Sequence, residues 1–210
     1  MDSNLEEYIE SHISPEPALL KSIDRQTNLY KINGRMCSGH IQGRLLKMLV
    51  SMIKPKRVLE LGTFTGYSCL CMAEAMEEDA EIVTVEKDDE LEDEIRNNLR
   101  LSPYGSTVRL LIGDAWEVMS QMNDESVDLA VVDADKRQYP KYFEYVMRIV
   151  RRGGYIIADN TLWDGHVVES GKHSSQTQGI LEFNEMVVNT PGVEVAMIPM
   201  RDGLTLIRKL

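Results

Sequence analysis

The stretch RVLELGTFTGYS (57–68) decides the fold. Val58, Leu59 and Leu61 make an apolar run of strand length, and Gly62 and Gly66 bracket a turn that opens onto Tyr67 and Ser68. A buried strand passing through a glycine turn into a helix is the first half of a βαβ unit. The glycine spacing is G-x-x-x-G. It is neither the G-x-G-x-x-G of dinucleotide sites nor a phosphate loop with its lysine, and no lysine follows Gly66. A nucleoside without phosphates suits this turn better than a pyrophosphate.

Reading outward toward the C-terminus, strands and helices alternate. EIVTVE (81–86), VRLLIG (108–113), VDLAVVDA (127–134) and GYIIADN (154–160) read as strands, with helices over 66–76, 89–101, 115–122 and 139–150 between them. A longer loop, a helix over 180–189, and VEVAMIPM (193–200) turning at Asp202-Gly203 into LTLIRKL (204–210) complete the chain. Alternation at this spacing predicts an α/β fold. Its sheet is doubly wound, seven-stranded and mostly parallel, with an antiparallel C-terminal hairpin. Toward the N-terminus, 18–30 and 41–53 carry helical periodicity. The expected organisation is one domain over 1–210: a helical cap (1–53) covering a pocket, and an α/β core (54–210).

Composition narrows the function. The 210 residues carry a formal net charge of -11, which repels phosphate backbones and weighs against nucleic acid as a partner. No apolar run is long enough to span a membrane, and MDSNLEEYIESH (1–12) has no apolar signal core, so a cytoplasmic protein is expected. Cys37, Cys69 and Cys71 form no C-x-x-C pair and read as small buried thiols. His12, His40, His166 and His173 lack metal-ligand spacing, with His166 the one placed nearest a candidate site. No G-x-S-x-G elbow is present.

Doubly wound sheets bind ligands at the carboxyl ends of their strands, so the chemistry is sought there. Glu86 ends the second strand, where a carboxylate can accept both hydroxyls of a ribose; Asp88 and Asp89 can cap the next helix and leave Glu86 for the sugar. Asp114 and Ala115 follow the third strand, where they either meet a purine edge or, for Asp114, simply cap the next helix. Asp133 follows the fourth strand, and Asp159 and Asn160 end the fifth. Three oxygen donors from two strand ends, with Lys136 close by and no histidine or thiol, suit Mg²⁺ and not zinc.

Four segments in combination carry a resemblance: VLELGTFTGYS (58–68), VVDADKRQY (131–139), ADNTLWDG (158–165) and PMRDGLTLIRK (199–209). From Met36 onward the chain resembles the cation-dependent O-methyltransferases, the family of catechol and caffeoyl-CoA O-methyltransferases. The resemblance implies a class I, Rossmann-like methyltransferase fold with an S-adenosylmethionine site. Ser38, Glu60, Gly62 and Ser68 would meet the methionine part, Glu86 the ribose, and Asp114 and Ala115 the adenine, with Met36 and Asp133 also in the cofactor site. It implies Asp133, Asp159 and Asn160 as ligands of Mg²⁺ (or Mn²⁺ or Ca²⁺). Lys136 would be the general base beside Asp133, and Asp135 and Trp163 would neighbour the acceptor. It also implies a homodimer acting on a small catechol-like acceptor. The alternative acceptor is 5-hydroxyuridine in transfer RNA, which some bacterial relatives methylate; a basic patch at Lys54, Lys56 and Arg57 would favour it. MCSGHIQG (36–43) matches only at Met36, Ser38 and Gly43, and the loop 164–179 is shorter than the insertion with which plant enzymes hold a CoA tail.

Overall fold

The computed structural model describes residues 3–210. Seven strands form one mixed sheet in the order β3-β2-β1-β4-β5-β7-β6. The strands are β1 (Arg57–Leu61), β2 (Glu81–Glu86), β3 (Val108–Ile112), β4 (Val127–Val132), β5 (Val150–Asp159), β6 (Val193–Ile198) and β7 (Leu204–Lys209). The helices are α1 (Ser3–Ser11), α2 (Ala18–Tyr30), α3 (Gly39–Ile53), α4 (Tyr67–Ala73), α5 (Glu92–Leu101), α6 (Ala115–Ser120), α7 (Tyr139–Ile149) and α8 (Ser175–Asn189). This is the doubly wound sheet with a reversed C-terminal hairpin that the alternation predicts. The chain's contacts fall into two units. One takes in the chain through Lys56 together with Thr63–Gly113, the other Arg57–Gly62 with Asp114–Leu210.

In the first unit β2 and β3 pair in parallel, with Glu86 opposite Ile112. Helix α4 packs on both strands and α3 packs on α4. Leu46, Val50, Leu70, Met72, Ile82 and Ile95 close this core. Arg44 of α3 makes a bidentate pair with Glu74 (2.9 and 3.1 Å), and Lys47 joins it at 2.7 Å. Burial favours the neutral acid, but the hydrogen bonds from Arg44 and Lys47 outweigh it and hold Glu74 below the usual carboxylate range. The three cysteines are buried thiols, as their sparse spacing suggests, and burial pushes Cys71 up to about 12.

In the second unit β1, β4 and β5 run parallel, and β5, β7 and β6 antiparallel. The carboxyl-terminal halves of β4 and β5 are buried on both faces, which is why Leu-Ala-Val-Val and Ile-Ile-Ala-Asp read as unbroken runs. Helix α7 packs on β4 and β5, and α8 packs on α7. Phe183 of α8 meets Tyr139 and Phe143 edge-on, at 5.3 and 5.8 Å. The edge strand β6 is largely exposed.

Boundaries differ from the sequence reading in a few places. β5 starts at Val150, where a helix over 139–150 and a strand from Gly154 are expected. Val150 already pairs with Val127, and the register then shifts so that Leu129 faces Tyr155. Gly153 (φ 74°) absorbs the irregularity. Helix α8 starts at Ser175, earlier than 180, because the Ser174 hydroxyl accepts from the Thr177 backbone N–H at 3.1 Å.

Candidate active site

In the first unit, the turn Thr63–Gly66 ends on Gly66 in the left-handed region (φ 84°) and passes into α4. Three remote contacts fix it. The Thr63 hydroxyl meets that of Thr84 at 2.6 Å, the Thr27 hydroxyl donates to that of Thr65 at 3.1 Å, and Asn98 donates to the Thr65 carbonyl at 3.0 Å. Thr27, Thr63, Thr65, Thr84 and Asn98 are all buried.

Glu86 stands beside this turn and holds it. One carboxylate oxygen accepts from the N–H groups of Thr63 (3.1 Å) and Phe64 (2.8 Å). The other accepts from Lys87 (2.8 Å) and Asp88 (2.9 Å). A carboxylate offers about four lone-pair sites, and all four are engaged by backbone. A ribose hydroxyl would have to share an oxygen with one of these amides. As expected from sequence, Asp88 is the cap of the next turn, accepting from Glu90 N–H at 3.1 Å. Of the other residues expected at a cofactor, Ser38 is buried at the start of α3, Ser68 lies in the first turn of α4, and Met36 is exposed.

In the second unit, β1 delivers Glu60, 1% exposed, and Gly62. Gly62 has φ 95°, and a Cβ there would fall 1.9 Å from the Asp133 carbonyl oxygen, so no side chain fits. Asp133 N–H closes the same contact by donating to the Leu61 carbonyl at 2.9 Å. Asp114 caps α6 by accepting from Trp116 N–H at 2.9 Å. Next to Ala115, Trp116 stacks on Tyr142 with ring centroids 4.5 Å apart.

Past Asp133 the chain makes a single turn, Lys136–Gln138, and enters α7. The Lys136 side chain is 9% exposed, and its Nζ donates to Asp133 Oδ1 at 2.6 Å and to Tyr139 Oη at 2.8 Å. Tyr139 Oη lies 3.1 Å from the Val132 carbonyl and 3.0 Å from that of Asp159. It has one proton, so it donates to one of these strand ends while accepting from Lys136. Burial, and then the negative charges of Asp133 and Asp159, hold the Tyr139 phenol well above its ordinary value, so it stays an O–H. Gly179 of α8 lies against the turn, where a Cβ would be 2.3 Å from the Lys136 carbonyl.

β5 ends in Asp159, 7% exposed, whose Oδ1 accepts from Asn160 N–H at 2.8 Å. Asn160 has φ 58° and donates its side-chain amide to Asp202 Oδ2 at 3.4 Å. Trp163, Asp164 and Gly165 all have positive φ, which turns the chain sharply after the strand. Asp135 caps the Lys136 turn and is gripped by Arg137 at 2.7–3.2 Å. His166 is exposed and lies 2.9 Å from Glu169.

The donors at the ends of β4 and β5 are two carboxylates and one amide, all oxygen. Among the described residues no three His, Cys, Asp or Glu side chains group to hold a metal. A cation here would therefore need the Asn160 amide as well as Asp133 and Asp159, and such a set fits a hard ion. Tyr139 and Asp202 lie inside the segments VVDADKRQY (131–139) and PMRDGLTLIRK (199–209), but their roles, like that of Gly179, are not legible there because each acts through an atom whose position depends on distant chain. The one local cue is a glycine inside a helix, Gly179.

Comparison with known proteins identifies the family. The family model described as O-methyltransferase matches residues 10–210. The catechol O-methyltransferase of Niastella koreensis is 32% identical over 162 residues, 76% of this chain and 73% of that protein. Caffeoyl-CoA O-methyltransferase 2 of Populus trichocarpa is 30% identical, covering 100% of this chain and 89% of its own. A Bacillus cereus O-methyltransferase solved with SAH superposes with a TM-score of 0.90 at 25% identity, over 98% of this chain and 97% of the other. With residues 10–210 matched by the family model and the whole chain covered by the Populus relative, this chain belongs to the O-methyltransferase family.

Proposed function

We propose that this protein transfers the methyl group of S-adenosylmethionine to a hydroxyl of a small vicinal dihydroxy acceptor, with a divalent cation held by Asp133, Asp159 and Asn160. The observation that carries the reading is the Asp133–Lys136–Tyr139 chain of hydrogen bonds, next to two more oxygen donors at the end of β5. Two neighbours, the Bacillus cereus enzyme with SAH and TomG of Streptomyces achromogenes with SAM (TM-score 0.90, 25% identity, 98% of this chain and 96% of that one), support the choice of methyl donor.

A cation held by Asp133, Asp159 and Asn160 would supply positive charge that makes an acceptor hydroxyl easier to deprotonate. Lys136 receives the proton. Once protonated it has two acceptors in place, Asp133 Oδ1 and Tyr139 Oη, so the new charge is met without rearrangement. The hydroxyl of Tyr139, directed at a strand-end carbonyl, leaves its lone pair to Lys136. Glu60, Gly62, Ser68, Glu86, Asp114 and Ala115 hold the donor, with Ser38 and Met36 beside the methionine part and Asp133 shared with the cation. Asp135 and Trp163 border the acceptor.

A small acceptor is favoured over transfer RNA by charge. Lys56 is committed to Glu77 (2.8 Å) and Asp79, and Lys54 lies 3.9 Å from Glu77, so these lysines present no net basic surface. A homodimer belongs to the same reading and is checked by sedimentation. The decisive assay compares a catechol with its monohydroxy analogue, each with EDTA and with Mg²⁺. The reading requires turnover with Mg²⁺, none with EDTA, and a preference for the catechol. Equal rates in EDTA would sink it.

A further inference from the structure

The turn between β6 and β7 reaches across to the end of β5. Leu162 N–H and Trp163 N–H donate to the Asp202 carbonyl at 2.7 and 3.1 Å, and Thr161 N–H donates to the Gly203 carbonyl at 3.1 Å. Below them the buried hydroxyl of Thr205 donates to that of Thr161 at 2.8 Å. Gly203 has φ 88°, and a Cβ there would lie 2.5 Å from Leu162 Cγ. The turn is thus locked onto residues 161–163, and its Asp202 side chain is delivered to Asn160. The two residues are 42 positions apart in sequence.

We propose that Asp202 is a positioning residue that fixes which end of the Asn160 amide is presented to a cation; this rests on the cation reading given above. An amide has one end that accepts and one that donates, and the two are nearly the same size. A neighbour that both donated and accepted would tolerate either orientation. An ionised carboxylate only accepts, so Asp202 takes the Nδ2 end and repels the Oδ1 end. The contact is long at 3.4 Å, but its discrimination comes from charge and not from close fit. Asn160 is itself held at φ 58°, a left-handed backbone that asparagine tolerates, so the side chain has little other freedom. Asp202 therefore engages the donating end of this amide and leaves the only end that can ligate a cation directed away from itself. In this account the appended hairpin completes the site as well as the sheet edge.

The test is Mn²⁺ titration by calorimetry on the full chain, with unfolding midpoints recorded in parallel. Asp202→Asn keeps the shape but can present either a donor or an acceptor. It is expected to weaken Mn²⁺ binding by roughly 10–100-fold, the usual loss when a group that orients a ligand is removed, with the unfolding midpoint unchanged. The exchanged pair, Asp202→Asn with Asn160→Asp, is expected to restore most of that affinity. A carboxylate at 160 offers oxygen in either orientation, and the amide at 202 can donate to it. Asp159→Ala is the control for the cation reading. If it binds Mn²⁺ as wild type does, that reading falls and this proposal with it. If Asp159→Ala loses the ion while Asp202→Asn keeps wild-type affinity, the cation reading stands and the role of Asp202 is overturned. A loss in Asp202→Asn that the exchanged pair does not restore, accompanied by a lower unfolding midpoint, also overturns it, since Asp202 would then merely hold the loop.

Discussion

Glu86 and Asp159 are both carboxylates at the end of a parallel strand, yet their surroundings differ. All four of the acceptor sites on Glu86 are taken by backbone N–H groups within its own turn and the neighbouring glycine turn. The Asp159 carboxylate accepts from the Asn160 backbone N–H, and its backbone carbonyl lies within hydrogen-bond distance of the Tyr139 hydroxyl that accepts from Lys136; the Asn160 side chain reaches Asp202 in the β6–β7 turn. The first carboxylate anchors a turn; the second stands at a strand end joined through Tyr139 and Asn160 to Lys136 and the β6–β7 turn. An acidic residue at a strand end thus has no fixed job, and its partners decide it.

The contrast breaks most visibly at Asp159. Asp159→Ala is expected to abolish methyl transfer and Mg²⁺ binding while circular dichroism keeps the wild-type fold; full activity would remove this strand end's chemical role. Next comes Lys136→Ala. A positioned base contributes typically about 10²–10⁴-fold, so turnover should fall by that much with S-adenosylmethionine affinity little changed in calorimetry. Wild-type turnover from pH 6 to 9 would make the lysine a bystander.

Tyr139→Phe removes one hydroxyl that accepts from Lys136 and donates to one of two strand-end carbonyls. Leaving buried partners unmet should cost about 1–3 kcal/mol in denaturant unfolding, together with a loss in turnover. An unchanged unfolding free energy would show that water replaces the hydroxyl. Glu86→Ala sharpens the other side of the comparison. If Glu86 is chiefly a loop anchor, the variant loses about 1–3 kcal/mol of stability without any cofactor present. If ribose binding is its main work, apo stability is kept and only S-adenosylmethionine affinity falls.

The smallest effect concerns Glu74, an acid with an obvious ionic partner and no expected role in chemistry. Its folded value lies below its unfolded one, because the hydrogen bonds from Arg44 and Lys47 outweigh burial. The stability it contributes is therefore present above the unfolded carboxylate value and lost as pH falls through the folded one. Glu74→Gln should flatten the acid side of the stability curve below about pH 4 and leave activity alone. A parallel shift at every pH would show that the pairing does not titrate.

Much of this arrangement is legible along the chain. The strands ending at residues 61, 86, 112 and 132 follow from apolar runs of strand length between helical periods, and Gly62 from a turn that has no room for Cβ. The order Asp133, Lys136, Asp159, Asn160 can be read off because each residue follows a strand end. The start of β5 is less legible. Arg151 and Arg152 look like a loop until Val150 is seen paired with Val127. Nor does sequence separate the two carboxylates: a charge at a strand end looks the same whichever partners the fold brings to it.

The sequence by itself determined the α/β alternation, the family resemblance and the kinds of donor at each strand end, because these depend on residue type and short-range spacing. Only the tertiary structure decided that four backbone amides engage Glu86 and that Tyr139 bridges Lys136 to two strand ends. It alone brought Asp202 to Asn160. The physical reason is reach. Periodicity and glycine strain act over a few residues, whereas a hydrogen bond needs its atoms within about 3 Å, and only the packed sheet and its C-terminal hairpin bring residues 42 positions apart that close.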